Sequence, residues 1–210
     1  MIIAIDGPAA AGKGTLARRL ADELGFAYLD TGSLYRAVGV MLLRADRDPA
    51  DASAAAEAAR NLDRSILDSP ALRTAEAGVA ASKVAAVPEV RAALKDFQRG
   101  FATTPPGGAG GAILDGRDIG TVICPDADRK LFVTASVEAR ATRRFKELQE
   151  RGEAAIYARV LQDMRERDAR DAGRSDAPMV QADDAVLIDT SSMTPDEAYA
   201  AALEVIKGTD

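Results

Sequence analysis

A three-layer α/β fold around a parallel sheet is the architecture that this 210-residue sequence predicts, on three observations. Short apolar runs recur at 2–6, 27–30, 112–115, 130–133 and 185–189, with segments of helical period between most of them. That alternation demands right-handed crossovers and therefore parallel strands. The first run passes directly into Gly7-Pro8-Ala9-Ala10-Ala11-Gly12-Lys13-Gly14-Thr15, a glycine-framed loop at a helix mouth. Other runs deliver Asp30 and Asp115 at their ends, and the carboxyl ends of parallel strands are where such sheets collect ligands.

Each element has its own signal. Residues 15–24 read as a helix, with Leu16, Leu20 and Leu24 on one side and Gly25 as its stop. After the run at 27–30, Thr31-Gly32-Ser33 opens a second helix over 34–43, which ends before Asp46-Arg47-Asp48-Pro49. Residues 47–104 are alanine-rich, mostly helical in pattern and without a long apolar strand. Val87-Pro88 is a break, and 89–101 is amphipathic through Val90, Leu94, Phe97 and Phe101. The Pro- and Gly-rich stretch 103–111 is a loop that returns to the core. Helices are predicted over 137–150 and 153–171. A last helix runs to Ile206, with Thr194 as N-cap and Pro195 in its first turn. The division expected is a core of 1–46, 105–150 and 177–210, an insert over 47–104 and a short helical lid over 151–176.

Composition narrows the chemistry. The chain is 47% apolar and 29% charged, as soluble globular proteins are. It has no histidine, which removes imidazole bases and His-ligated metals, and its one cysteine, Cys124, removes disulfides and Cys-clustered zinc. Cys124 beside Pro125 reads as a small filler. A net charge of −6 argues against binding nucleic acid, and arginines gathered locally at 165, 167, 170 and 174 argue for small anions. No leader precedes the first run and no apolar run is long enough to span a bilayer, so a cytoplasmic protein with no membrane partner is expected.

Four segments carry the chemistry. In Gly7–Thr15, glycines turn backbone N–H groups toward phosphate oxygens, the helix mouth adds orphan donors, and Lys13 adds a full charge. Gly14 stands where Ser or Thr ordinarily holds Mg²⁺, and Thr15 offers a hydroxyl one residue later. Asp30-Thr31-Gly32-Ser33-Leu34-Tyr35-Arg36 puts a carboxylate, two hydroxyls and a guanidinium on one strand-to-helix turn, which a plain helix cap also explains. Asp115-Gly116-Arg117-Asp118-Ile119-Gly120-Thr121 is harder to read as structure alone. Asp115 is placed there to orient Mg²⁺-bound water, Arg117 to neutralise phosphate and Asp118 to accept from a ligand amine. In 165–174, Arg167, Arg170 and Arg174 share one face if the helix reaches that far, either as a solvated charge run or as a closing lid.

Together these segments resemble the bacterial cytidylate kinases, members of the nucleoside monophosphate kinases with a P-loop nucleoside-triphosphate-hydrolase-type fold. The resemblance rests on G-P-x-x-A-G-K-G-T at 7–15, L-D-x-G-x-x-Y-R at 29–36, A-S-x-V-A-x-x-P-x-V-R at 81–91, D-G-R-D-x-G-T at 115–121 and R-x-x-R-D-x-x-R at 167–174. It implies transfer of the γ-phosphoryl group of ATP, with Mg²⁺, to CMP or dCMP, by a monomer. It implies that Ser82, Arg91 and Asp118 read the cytosine edge, with Thr31 rather than Ser33 as the matching hydroxyl of the first turn. Arg36, Arg117 and Arg167 become phosphate ligands, and Asp171 and Arg174 contact sugar and base. Lys13, Arg117, Arg167 and Arg170 then surround the transferring group, while Asp30 and Tyr35 belong to the acceptor site. The sequence departs from the family's pattern between 61 and 77, where a strand-rich insert is replaced by a shorter segment keeping Leu72-Arg73-Thr74.

UMP, AMP and shikimate stay open as acceptors. The turn after Asp115-Gly116 has Arg117-Asp118 where an adenylate kinase has an aromatic-proline pair, the chain has no Asn-Lys-x-Asp segment of a guanine switch, and Asp115-Gly116 is not the acid pair of a mechanical ATPase. A nucleotide-binding module without turnover is the alternative from outside the enzymes.

Overall fold

The protein is described from a computed structural model over residues 1–208. Strands β1 (Ile2–Asp6), β2 (Ala27–Asp30), β3 (Ala112–Gly116), β4 (Arg129–Thr134) and β5 (Val186–Asp189) lie in the order β2-β3-β1-β4-β5, every neighbouring pair parallel. The helices are α1 (Lys13–Leu24), α2 (Thr31–Arg44), α3 (Ala52–Arg60), α4 (Ala75–Val84), α5 (Pro88–Thr103), α6 (Val137–Glu150), α7 (Tyr157–Ala172) and α8 (Pro195–Lys207).

Strand alternation sends side chains to two faces, and both are covered. On one face Ile3, Ile5, Ile113, Leu131 and Ile188 pack against Leu16 and Leu20 of α1 and Ile206 of α8. On the other, Ala4, Leu29 and Leu114 meet Ala102 of α5 and the Ile119 and Ile123 side chains of a π-helical turn, Ile119–Ile123. The three layers expected from the apolar runs are therefore present, and Cys124 is buried filler in the second of them.

Residues 47–104 form a helical body on α2. Leu34, Val38 and Leu42 of α2 pack with Ala55 and Ala59 of α3, Val84 of α4 and Val90 and Leu94 of α5. Small residues set the spacing: a Cβ on Gly39 of α2 would stand 2.7 Å from the Cβ of Ala80 on α4. Between α3 and α4 the chain makes two 3₁₀ turns, Arg64–Asp68 and Pro70–Arg73, which lay Ile66, Leu67 and Leu72 against Ala37 and Val40.

Two helix starts differ most from the sequence reading. Helix α2 starts at Thr31, not 34, because the cap is the Asp30 carboxylate, which accepts from the Ser33 N–H at 3.2 Å. Helix α7 starts at Tyr157, not 153. Gly152 is left-handed (φ 72°), and the helix begins only where Tyr157 sets its ring edge-on to Phe145, centroids 6.0 Å apart. The same helix ends at Ala172, within one residue of the expected end, so it does not reach Arg174 and the condition for a face shared with Arg167 and Arg170 is not met.

The register places the chemistry. Asp30 pairs with Asp115 across β2 and β3, and Asp6 with Gly116 across β1 and β3. Three strand ends thus bring the loop at 7–12, the turn at 30–36 and the turn at 115–121 to one edge of the sheet.

Candidate active site

The loop after β1 is held from outside. Lys13 Nζ donates to the Pro8 carbonyl at 2.8 Å, Arg140 Nη1 to the Ala9 carbonyl at 3.4 Å, and Thr190 Oγ1 to the Ala11 carbonyl at 3.0 Å. Gly7 has to be glycine: at φ 138° a Cβ would come within 2.0 Å of the Val133 carbonyl oxygen. Ala10, at φ 59°, carries the left-handed turn without glycine's freedom. Gly12 is the N-cap of α1 and supplies no side-chain acceptor. The first N–H groups of α1 therefore stay available to an anion, with the positive end of the dipole behind them.

Lys13 is buried beside this helix mouth. Burial first, and then the Arg117 guanidinium, push its ammonium down to about 7, against the pull of Asp115 and Asp6. Such a lysine gains most from a phosphate that restores its charge. Thr15 is exposed in the first turn of α1 and lines a cavity of about 290 Å³ together with Gly12, Arg19, Arg143, Thr190 and Pro195.

The turn after β3 is built by buried carboxylates. Asp6 accepts from the Ile119 and Gly120 N–H groups at 2.8 and 2.7 Å. Burial nevertheless raises its carboxyl to about 6. Asp115 is raised by burial and then by Asp30, and its Oδ2 accepts from the Tyr28 hydroxyl at 2.9 Å. Asp118 is raised chiefly by burial, opposed by Arg91, with which it forms a buried ion pair. Arg91 lies over the Tyr35 ring, 5.7 Å from its centroid, and its Nε reaches Asp176 at 3.5 Å.

Arginines from four segments meet around these acids. Arg117 Nε donates to Asp171 Oδ2 at 3.1 Å, and Arg174 Nε to the Asp171 carbonyl at 3.1 Å. Arg167 is lowered to about 10, by burial and then by Arg117 and, more weakly, by Arg36 and Arg144. Mutual repulsion of that kind is what a bound polyanion relieves. Among the described residues, Arg91 Nη1, Arg167 Nε and Arg174 Nη2 are buried without a hydrogen-bond partner. Leaving such donors unpaired costs about 1–3 kcal/mol each, a cost that an anionic ligand would offset.

The sequence-predicted residues fall unevenly. Lys13, Arg117, Arg167, Asp115, Asp118, Asp171 and Arg174 are linked to one another by the bonds and fields above. Arg91 joins them through Asp118, and Tyr35 through Arg91. Arg36 is paired with Asp30, so it must be shared or drawn away to meet a phosphate. Thr31 Oγ1 is spent on the Asp115 carbonyl at 2.7 Å, and Ser33 Oγ on the Asp30 carbonyl at 2.6 Å. Ser82 accepts from Arg170 Nε at 3.2 Å. Arg170 is exposed, is 4.0 Å from Glu166, and is not among the leading charges that shift Lys13 or Arg167.

Sequence reasoning missed the supports. Asp6 and Tyr28 read only as strand residues. Arg140 is not singled out by the sequence reading, yet it is buried, donates to the Ala9 carbonyl and forks onto Asp168 of α7 at 3.1 and 2.6 Å. An arginine on the apolar side of the 137–150 pattern was the available signal.

With this geometry in view, the comparisons are consistent. The family described as Cytidylate kinase matches residues 3–208. A cytidylate kinase of Paramagnetospirillum magneticum is 67% identical over 205 residues, 98% of this chain and 97% of that protein. Cytidylate kinases of Rhodospirillum rubrum and Xanthobacter autotrophicus are 63% and 61% identical, over 98% and 99% of this chain and 97% of each relative. A relative spanned to 97% by 205 residues is of nearly this chain's length, so the short 61–77 segment is not a peculiarity of this chain. Among solved structures, an uncharacterized protein from Eubacterium ventriosum shares the fold at a TM-score of 0.58 and 14% identity, over 99% of this chain and 98% of that one. Phosphate loop, buried acid turn and arginine ring thus have one explanation, that the chain belongs to the cytidylate kinase family.

Proposed function

We propose that this enzyme transfers the γ-phosphoryl group of ATP to CMP or dCMP, giving ADP and CDP or dCDP. The observation that carries the reading is the set of three buried guanidinium nitrogens on Arg91, Arg167 and Arg174 without a hydrogen-bond partner, near Asp118 and Asp171. A nucleoside monophosphate supplies oxygens for those donors. Its cytosine amine would add a second donor to the Asp118 carboxylate, which already accepts from Arg91, and Arg91 would offer its free nitrogen to the ring carbonyl.

On the donor side, the mouth of α1, Lys13 and residues 7–15 would hold the triphosphate, and the cavity beside Thr15, Arg143 and Pro195 would take the nucleoside. Asp115 is the residue that would hold Mg²⁺ through water. Among the described residues no cluster of three potential metal ligands forms, and one buried carboxylate suits a cation that keeps its waters and is held mostly by phosphates. When bound, Mg²⁺ neutralises and orients the phosphate oxygens. Lys13, Arg117 and Arg167 then stabilise charge on the transferring group, with Arg170 joining them only if α7 shifts. No base is needed, because the acceptor is already a phosphate oxyanion. Residues 47–104 serve as the acceptor-binding insert and 151–176 as the lid, with the core at 1–46, 105–150 and 177–210. The groups named all come from one chain, so a monomer suffices. No helix among the described residues is long and apolar enough to cross a membrane, and we place the reaction in the cytoplasm.

The test is ADP formation from ATP·Mg²⁺ with CMP, dCMP, UMP, AMP and shikimate as acceptors. Turnover confined to CMP and dCMP is expected. Comparable turnover with UMP or AMP would remove the cytosine-reading roles of Ser82, Arg91 and Asp118, and no turnover with any acceptor would leave a binding module.

A further inference from the structure

Asp115 can meet a cation correctly only if its carboxylate cannot rotate. Tyr28 stands two residues before Asp30 on β2, so it shares with Asp30 and Asp115 one face of the sheet. Its hydroxyl donates to Asp115 Oδ2 at 2.9 Å, across 87 residues of chain. Burial, then the Asp115 and Asp30 carboxylates, raise the phenol far above its ordinary value, so the hydroxyl keeps its proton. Arg18 of α1 holds the ring from above, 5.5 Å from the centroid.

Gly14 supplies an independent observation. A Cβ there would stand 3.4 Å from Asp115 Oδ2 and 3.6 Å from the Tyr28 hydroxyl. Residue 14 follows the loop lysine, the place where many phosphate loops carry a cation-binding Ser or Thr. Here the volume that such a side chain would enter borders on the Tyr28–Asp115 pair.

We propose that Tyr28 is a positioning residue: its hydrogen bond fixes the Asp115 carboxylate where other phosphate loops place a residue-14 hydroxyl, and glycine at 14 keeps that place clear. The inference rests on the reading of Asp115 as the cation-facing carboxylate. Tyr28→Phe removes one hydroxyl and retains the ring, its packing and the Arg18 contact.

The experiment is calorimetric binding of ADP with and without Mg²⁺ to the wild type, Tyr28→Phe and Asp115→Asn. The ratio of the two affinities reports how far the cation is coupled to the protein, with no turnover involved. In Tyr28→Phe the ratio is expected to fall about tenfold, as when a partner of a metal ligand is lost, while ADP without Mg²⁺ binds as in the wild type. A merely structural tyrosine would lower the melting temperature and leave the ratio alone. A wild-type ratio in Tyr28→Phe beside a reduced one in Asp115→Asn overturns the role of Tyr28 and keeps that of Asp115. A wild-type ratio in both variants overturns the reading of Asp115 and the proposal with it.

Discussion

The carboxylate of Asp6 holds the Gly120 N–H at 2.7 Å and thereby ties the last residue before the phosphate loop to the turn that carries Arg117 and Asp118. The Ile119 N–H, at 2.8 Å, doubles the tie. The two turns are registered by one buried side chain, and the consequence is a pH dependence. Burial is the larger effect and the two N–H bonds the smaller, so the carboxyl sits at about 6 in the folded protein against 3.8 as its ordinary value. A raised acid favours folding below its unfolded pKa and loses that contribution as pH rises through the folded one. Between pH 4 and 6 the wild type should therefore lose roughly 3 kcal/mol of stability relative to Asp6→Asn. Urea unfolding of both proteins across that window measures it, and parallel curves would show that folding leaves the Asp6 pKa where it is in the unfolded chain. The acceptor KM of the wild type should rise below pH 6, and that of Asp6→Asn should be high and flat.

Lys13, in the proposed triphosphate site, should make nucleotide binding a protonation event. Its ammonium is held down to about 7 by burial and Arg117, and phosphate oxygens favour the charged form. ADP binding at pH 7.5 should take up part of a proton, seen as a binding enthalpy that varies with the ionisation enthalpy of the buffer. A buffer-independent enthalpy would place Lys13 fully charged beforehand. Lys13→Ala should lower turnover on the order of 10²–10³-fold in a folded protein, as loss of a preorganised charge stabiliser does.

Asp118, proposed above to read the base, is half of a buried ion pair. Asp118→Ala leaves Arg91 with only the exposed Asp176, at 3.5 Å. Breaking such a pair costs about 3–5 kcal/mol, which thermal unfolding would register. The preference for CMP over UMP, as the ratio of kcat/KM values, should shrink on the order of tenfold or more, the worth of a hydrogen bond to a charged group. An unaltered ratio would confine Asp118 to structure.

Gly7→Ala tests the loop's backbone. The added carbon would meet the Val133 carbonyl of β4 at 2.0 Å in a left-handed conformation, and a sheet carbonyl cannot retreat. A loss of at least ~2 kcal/mol in urea unfolding is expected, together with loss of ADP binding. Wild-type affinity in the variant would mean that the loop reshapes freely.

Sequence periodicity was legible wherever burial alone decides it. The strand at 27–30 and the helix at 137–150 match the observed β2 and α6 to the residue, because their apolar patterns face one core. The reading was weaker where a single contact sets a boundary. Asp30 starts α2 by capping it, and Tyr157 starts α7 by meeting Phe145. Of the site, the residues that would touch phosphate and base stand in recognisable motifs, since ligand geometry restricts their type and spacing. Tyr28, Asp6 and Arg140 act on groups 87, 114 and 131 residues away, and no local pattern marks them.

By itself the sequence determined the parallel sheet, the helix order, the phosphate loop and the acid–arginine turn, because each depends on neighbours in the chain: alternation, capping, glycine at a forced turn. Only the tertiary structure decided which charges stand together. Arg117 and Arg167 press on Lys13, Asp118 closes on Arg91, and Arg170 turns instead to Ser82. The physical reason is that Coulomb energy and desolvation depend on distance and burial in space, and the fold brings those quantities into being only after the strands have paired.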